Sequence, residues 1–576
     1  MRILRRAALA LGAAALSALA LAAPAGAVHY LYSINDNAPG TTSGFTIGGG
    51  AALTPIADAT EDAGSFPIAG VVSPDGKHLY VSSFRLYGFN IAADGSLSAM
   101  PGSPFGNPFS YYQLAITPDG SKLYAPGGSS NAVFGFSLAA DGTPTELPGS
   151  PYATGANFAF GLAITPNGQR VYSSNANGNS IAAFNIGANG ALTAIAGSPF
   201  AAGASTSPEE MGMDPGGSRF FVANSGNGTV GSWTINGNGS ITQGVGSPFP
   251  ADTGAWGATV SPDAKNVYVG NQTAGNVRAF NNNSGSLSAV TGSPFAAGAG
   301  ARTVAITPDG SAAFVANLNG DSITRYTRNT STGALTVVPP VQPAGNGATG
   351  LAIPPNQPPT ADFAPTLSDT RDVQFQSTSS EDDSPGGVAS FSWDFGDGAT
   401  ASTPDPTVTH TFPADGVYNV RLTTTDTEGC GPTPIYNGQS FYCNGGPAAS
   451  KVQQVTVDTV LSGAKFKAKK TQKQKPDKGK VTIKAKAGAA EKVLLSVGNG
   501  KVKVPGAGKV KLKKVKRTEV AAGKLKTLKL KPSGKKGTKA ILAAIAAGGK
   551  PKASFKVTLT DDAGNVAAKT LKVTLK

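Results

Sequence analysis

Glu209, Arg302 and three aromatic residues, Tyr112, Phe160 and Trp256, share one place in a repeated sequence pattern: each lies five residues before a recurring turn. Ile68 and Thr349 hold that place in two further copies. Three aromatics, one acid and one base facing a shared funnel would suit a sugar or another small polar ligand. The competing reading is that the aromatics pack between neighbouring repeats. Elsewhere, residues able to do chemistry are few. Of the three histidines, His29 precedes the first strand, His78 lies in a turn and His410 belongs to a later segment, so each reads as a surface or structural residue. Three His and two Cys do not make a zinc site, and neither a metal nor a cofactor is expected. Cys430 and Cys443 sit in one Gly/Pro/Asn-rich loop, where a local disulfide is expected if the chain is exported.

The elements that must position these residues come from the repeat itself. SPDGKHLY begins at Ser73, TPDGSKLY at Thr117, TPNGQRVY at Thr165, DPGGSRFF at Asp214, SPDAKNVY at Ser261 and TPDGSAAF at Thr307, in steps of 44 to 49 residues. A period of that length with several short strands per unit is the pattern of propeller blades, not of helical repeats. Within one unit, Leu162-Ala163-Ile164 reads as an inner strand, Pro166-Asn167-Gly168 as a tight turn and Val171-Tyr172-Ser173 as the strand that pairs back. The last copy, Leu351 to Asn356, has an inner strand but no second one, whereas Tyr30 to Asn35 reads as a second strand with no inner one. Joining them closes a ring of seven blades and removes the exposed edges of an open array.

These repeats resemble the YVTN/lactonase-like seven-bladed propeller family. The resemblance rests on the (S/T)PDG turn, the strands ending in Val222-Ala223-Asn224 and Val315-Ala316-Asn317, and the Gly-Ser-Pro-Phe connections. It implies the fold, and for members that hydrolyse sugar lactones it implies an Arg-His pair before one inner strand and a Glu after the Asn that ends the next strand. Arg302 matches, but Thr303 stands in the His place and Leu318 in the Glu place. Neither Thr nor Leu transfers protons near neutral pH, so the sequence favours a propeller that binds without catalysing. Only Glu209 or Glu210, from another blade, could compensate.

After a Pro-rich linker, Trp393-Asp394-Phe395-Gly396-Asp397-Gly398, His410-Thr411-Phe412 and the stretch from Gly416 to Asp426 stand in the order of a PKD domain, which this segment resembles closely. The resemblance implies a β-sandwich spacer in which Asp394 and Asp397 bond local backbone amides. Residues 458–576 alternate Lys with apolar residues, as in Lys501-Val502-Lys503-Val504, so that one face of each strand is apolar and the other basic. Their ending resembles bacterial Ig-like domains with a TDxxGN hairpin. This segment nets +26 and the rest of the chain −12, so it would seek a polyanion. Scarce aromatics argue against nucleic acid and favour an anionic cell-wall polymer or a membrane surface.

Arg2, Arg5 and Arg6, the apolar run 7–23 and Ala25-Gly26-Ala27 read as a cleaved secretory leader. The expectation is therefore an all-β chain: a leader (1–27), a seven-bladed β-propeller (28–356), a PKD (Ig-like) β-sandwich (357–457) and a basic Ig-like β-domain (458–576). The favoured role is a secreted, envelope-associated binding or adhesion protein. The alternative is a secreted lactonase-like hydrolase, similar to 6-phosphogluconolactonase propellers, acting on a sugar lactone.

Overall fold

The computed structural model describes residues 29–367, 371–380, 387–458, 461, 463–561 and 564–576; the expected leader lies outside them. The chain packs as two compact units. Of the described residues, one holds those up to Ala361 together with those in Ser379–Ser390 and Thr423–Ser450; the other holds those in Asp362–Thr378, Phe391–Leu422 and Lys451–Lys576.

In the first unit, seven antiparallel sheets follow one another along the chain. The recurring turn shows why the repeat folds this way. The Thr165 hydroxyl donates to Asn167 Oδ1 at 2.7 Å and accepts from the Arg170 N–H at 3.1 Å. Gly168, at φ 67°, donates its N–H to the Thr165 carbonyl at 2.8 Å. A left-handed residue at that point is cheap only for Gly. The turn joins the inner strand Ala159–Ile164 to Arg170–Asn175, and Ser180–Ile186 and Leu192–Ala194 complete the blade. The repeated Tyr of the second strand ties neighbouring blades together. Its hydroxyl donates to a Gly carbonyl in the next blade, Tyr124 to Gly190 at 2.7 Å, Tyr172 to Gly239 at 3.0 Å and Tyr268 to Gly333 at 2.7 Å. Each buried phenol is thereby satisfied.

The ring closes through both ends of the propeller segment. Ala348–Ala352 pairs antiparallel with His29–Asn35, Ser33 opposite Leu351 and Ile34 opposite Gly350, and Gly40–Gly48 continues that sheet outward. One blade is thus built from two distant pieces of chain, as the incomplete first and last repeats require.

Cys430 and Cys443 form a disulfide. Its setting differs from the expectation of a staple on a loop of the sandwich, because Thr423–Ser450 belongs to the propeller unit. Its hairpin, Ile435–Tyr436 paired with Phe441–Cys443, seats on the ends of the inner strands. The Tyr436 hydroxyl donates to the Ile116 carbonyl at 2.6 Å and that of Tyr442 to the Val260 carbonyl at 2.6 Å. Gln439 Nε2 donates to the carbonyls of Leu162 and Met211. Tyr436, Phe441 and Tyr442 are buried, and burial of each large apolar side chain is worth roughly 1.5–3 kcal/mol. Behind the hairpin, Asn356 Nδ2 donates to Asp426 and Glu428, and Glu428 meets His29 Nε2 at 2.7 Å.

In the second unit, the core of the PKD sandwich stacks Trp393, Phe395, Phe375 and Phe363. Asp394 and Asp397 accept from the Gly396 and Ala399 N–H groups, each at 3.0 Å, and Asp397 also meets His410 at 2.7 Å. The lysine-rich segment forms its own sheets over a core that includes Ile483, Leu495, Val502, Phe555 and Leu559, and carries the α-helix Lys535–Ala546. Lys501 and Lys503 are exposed while Val502 and Val504 are buried, so the alternation in the sequence is the two-sidedness of the sheet. Among the described residues no helix is long and apolar enough to cross a membrane.

Candidate active site

The inner strands carry the site on their N-terminal halves. A strand presents successive side chains to opposite faces, but in five blades the register slips just here: between Ala159 and Leu162, Pro208 and Met211, Ala255 and Gly257, Ala301 and Val304, and Ala348 and Gly350. A bulge of this kind re-aims side chains. It lets adjacent residues, Glu209 and Glu210 or Arg302 and Thr303, serve one site.

The five residues singled out in the sequence come together. Tyr112 and Phe160 have ring centroids 4.5 Å apart, Phe160 meets Trp256 edge-on at 5.3 Å, and the Arg302 guanidinium lies 3.9 Å over the Trp256 ring. Glu209 is buried among them and accepts from Ser225 Oγ at 2.7 Å and Ser207 Oγ at 3.3 Å. Phe160 is buried, whereas Tyr112, Trp256 and Arg302 are half-buried.

The neighbouring position, one residue further along each inner strand, reaches the channel axis. It reads Ala69, Gln113, Gly161, Glu210, Gly257, Thr303 and Gly350 around the ring, and all but Gly161 and Gly257 line a central cavity of about 110 Å³ floored by Gln439, Ser440 and Tyr442 of the docked hairpin. Long side chains cross where small ones leave room. Gln113 passes the Gly161 blade, its Oε1 accepting from Leu162 N–H at 2.9 Å and Met211 N–H at 3.0 Å. Glu210 passes the Gly257 blade to accept from Thr303 Oγ1 at 3.2 Å. A methyl group on Gly257 would stand 2.8 Å from Glu210 Oε2, and one on Gly270 would stand 1.8 Å from the Arg302 carbonyl. Bare glycine at both places lets the acid and the base sit where they do.

Burial sets the electrostatics. It pushes Glu210 up to about 7, against the Thr303 hydrogen bond and the charge of Arg302, which favour the anion. The Trp256 indole N–H also leans toward the anion, although it makes no hydrogen bond of good geometry. Burial raises Glu209 as well, against its two serine hydrogen bonds, and raises Asp36 against Arg302. Arg302 is lowered by burial and supported by Glu210, Asp36 and Glu209. Its Nε is buried without a hydrogen-bond partner, and the guanidinium makes no ion pair among the described residues. One cation with free donors thus faces a carboxyl that titrates near neutrality.

Sequence reasoning missed Gln113, Asp36 and Phe158, and did not see that Thr303, standing in the family's His place, holds Glu210. Phe158, at φ 64°, sits in a conformation unfavourable to a bulky residue, with its N–H fixed by Asn131 Oδ1 at 2.8 Å and its ring 5.4 Å from Tyr112. Leu318 lies half-buried in the short turn Leu318–Gly320, outside the lining of the cavity. Neither His29 nor His78 lies among the site residues, and His410 belongs to the second unit. His78 meets Asn90 Oδ1 at 3.2 Å within its own blade.

Residues 113–256 and 239–348 match the family model described as lactonase, 7-bladed beta-propeller, and residues 356–434 match the PKD domain. The chain therefore carries a lactonase-like propeller and a PKD domain. No curated protein matches it. A putative 6-phosphogluconolactonase from Bacteroides uniformis is similar over 57% of this chain and 99% of its own, at 20% identity and TM-score 0.51. A putative 6-phosphogluconolactonase from Bacteroides fragilis (20% identity, TM-score 0.49) covers 57% of this chain and 98% of its own. The periplasmic gluconolactonase of Pseudomonas aeruginosa (16%, 0.49) covers 57% of this chain and 99% of its own.

Proposed function

We propose that the propeller hydrolyses a sugar lactone, with Glu210 as general base and Arg302 as the group that holds the carbonyl oxygen. The observation that carries this reading is a carboxyl displaced to about 7 beside a guanidinium with unpaired donors. A general base works best when its pKa lies near the operating pH. Glu210 takes a proton from water, the oxygen attacks the lactone carbonyl, and Arg302 stabilises the oxyanion. The ring C–O bond then breaks, and the departing alkoxide recovers the proton from Glu210, leaving the hydroxy acid. The cavity below Glu210 has room for a few waters, so water can approach from one side and the lactone from the other. Tyr112, Phe158 and Trp256 offer ring faces to the sugar. With Asp36 and Glu209 also present, acids outnumber the one cation, which disfavours a phosphorylated substrate. The lactonase description of the matching family supports the same chemistry.

Thr303 and Leu318 were the reasons to prefer a non-catalytic platform. Glu210, arriving from another blade, answers them, and the site favours hydrolysis over adhesion. The test is lactone hydrolysis by the full chain, followed with an unphosphorylated sugar lactone. Glu210→Gln should lower kcat by about 10²–10⁴-fold. Equal turnover by the variant would remove Glu210 from the mechanism.

A second, compatible reading concerns location. Lys470, Lys501, Lys503, Lys509, Lys552 and Lys572 line one shallow concavity. Such a face supports adsorption to an anionic cell-wall polymer or a membrane surface. The Cys430–Cys443 disulfide is compatible with an oxidising compartment outside the cytoplasm.

A further inference from the structure

The lysine-rich segment 458–576 has only six acids, and the fold gathers three of them. Asp458 follows the strand Ser450–Val457, Glu491 precedes Val493–Val497, and Asp561 ends Lys552–Asp561, opposite Val493. One carboxylate oxygen from each lies within 4.8 Å of the other two. Three such groups repel one another unless a proton or a cation lies between them.

The second observation is the state of Asp561. It is 5% exposed, and its Oδ1 accepts the Asn565 N–H at 2.7 Å. Its Oδ2 is buried with no hydrogen-bond partner, and the carboxyl is turned toward Asp458 and Glu491. Among the described residues no lysine pairs with it, although the segment holds 31. A buried anionic oxygen left without a donor is costly, and amid so many lysines its isolation is informative. Asn565 also fixes Asp458, its Nδ2 donating to the Asp458 carbonyl at 2.7 Å. Asn565 therefore holds two of the three acids in place.

We propose that Asp458, Glu491 and Asp561 bind a divalent cation of calcium's size. The donors are all hard oxygens, with neither His nor Cys among them, which suits Ca²⁺ over transition metals. Oxygens bound to Ca²⁺ at about 2.3–2.6 Å can stand at most about 5 Å apart, the spacing seen here. Bound there, the ion ties the end of the Ser450–Val457 strand to the sheet that carries Glu491 and Asp561.

The test is calorimetric titration of the full chain with CaCl₂, together with thermal melts in calcium, magnesium and chelator. Asp561→Asn is the direct variant, but Asp561 is buried. Glu491→Gln and Asp458→Asn, at half-exposed positions, keep the test clear of misfolding. The expected result is one calcium site whose affinity falls at least tenfold in either half-exposed variant. Calcium should also raise the melting temperature of the wild type and not of the variants. No heat at millimolar calcium, or heat that survives both substitutions, would overturn the proposal.

Discussion

The propeller mouth and the lysine face both concentrate like charges, in opposite ways. At the mouth, Glu209, Glu210 and Asp36 surround one guanidinium in a buried setting, and burial displaces each of them. On the C-terminal sheet the charges are exposed lysines such as Lys501 and Lys572, bathed in water. In the first region a few groups become reactive because solvent is kept from them. In the second, each charge is worth little and only their number matters, screened beyond about 8–10 Å at physiological salt. Chemistry belongs to the first arrangement and adsorption to the second.

The largest test of that division is Arg302→Met, which keeps an apolar stem over Trp256 but removes the donors. Loss of oxyanion stabilisation should lower kcat by about 10²–10³-fold. Replacing Lys501, Lys503, Lys552 and Lys572 by Ser should leave turnover of a soluble lactone unchanged. A comparable loss in the lysine variant would erase the distinction between the two regions.

The next effect is on stability. Burial raises Glu210 from 4.5 to about 7 in the folded protein. The stability associated with its neutral form is fully present below the unfolded value and is lost as pH rises through about 7. Glu210→Gln carries no charge to bury, so its stability relative to the wild type should grow between pH 5 and pH 8, by at most about 3 kcal/mol. Denaturant melts at the two pH values measure this. A constant difference would mean that the carboxyl does not titrate in that window.

The smallest effect is on adsorption. Binding of the full chain to anionic vesicles should weaken about tenfold or more from low to high salt, while hydrolysis of an uncharged lactone changes little. Binding indifferent to salt would assign the lysine face another role.

Much of this was legible in the sequence. The Ser73, Thr117 and Thr165 turns set the blade register, and counting back from them found Tyr112, Phe160, Glu209, Trp256 and Arg302, which the fold brings together. Counting cannot show the bulge between Pro208 and Met211, which puts Glu210 to use beside Glu209. Two adjacent acids in an otherwise apolar inner strand were the available signal. The disulfide was also legible, but its place was not. Tyr436, Phe441 and Tyr442 are too apolar for a solvated loop, yet nothing in the sequence says which surface buries them. Asp458, Glu491 and Asp561 are far apart in the chain, and only strand pairing brings them together.

The central claim is that Glu210 is the base, and the pH dependence of kcat/KM for an uncharged lactone tests it most directly. With Glu210 acting as the deprotonated carboxylate, kcat/KM should rise with pH through an ionisation near 7, where burial places this group. The rising limb should disappear in Glu210→Gln. A profile that is flat across neutral pH, or one whose limb near 7 persists in that variant, would contradict the account.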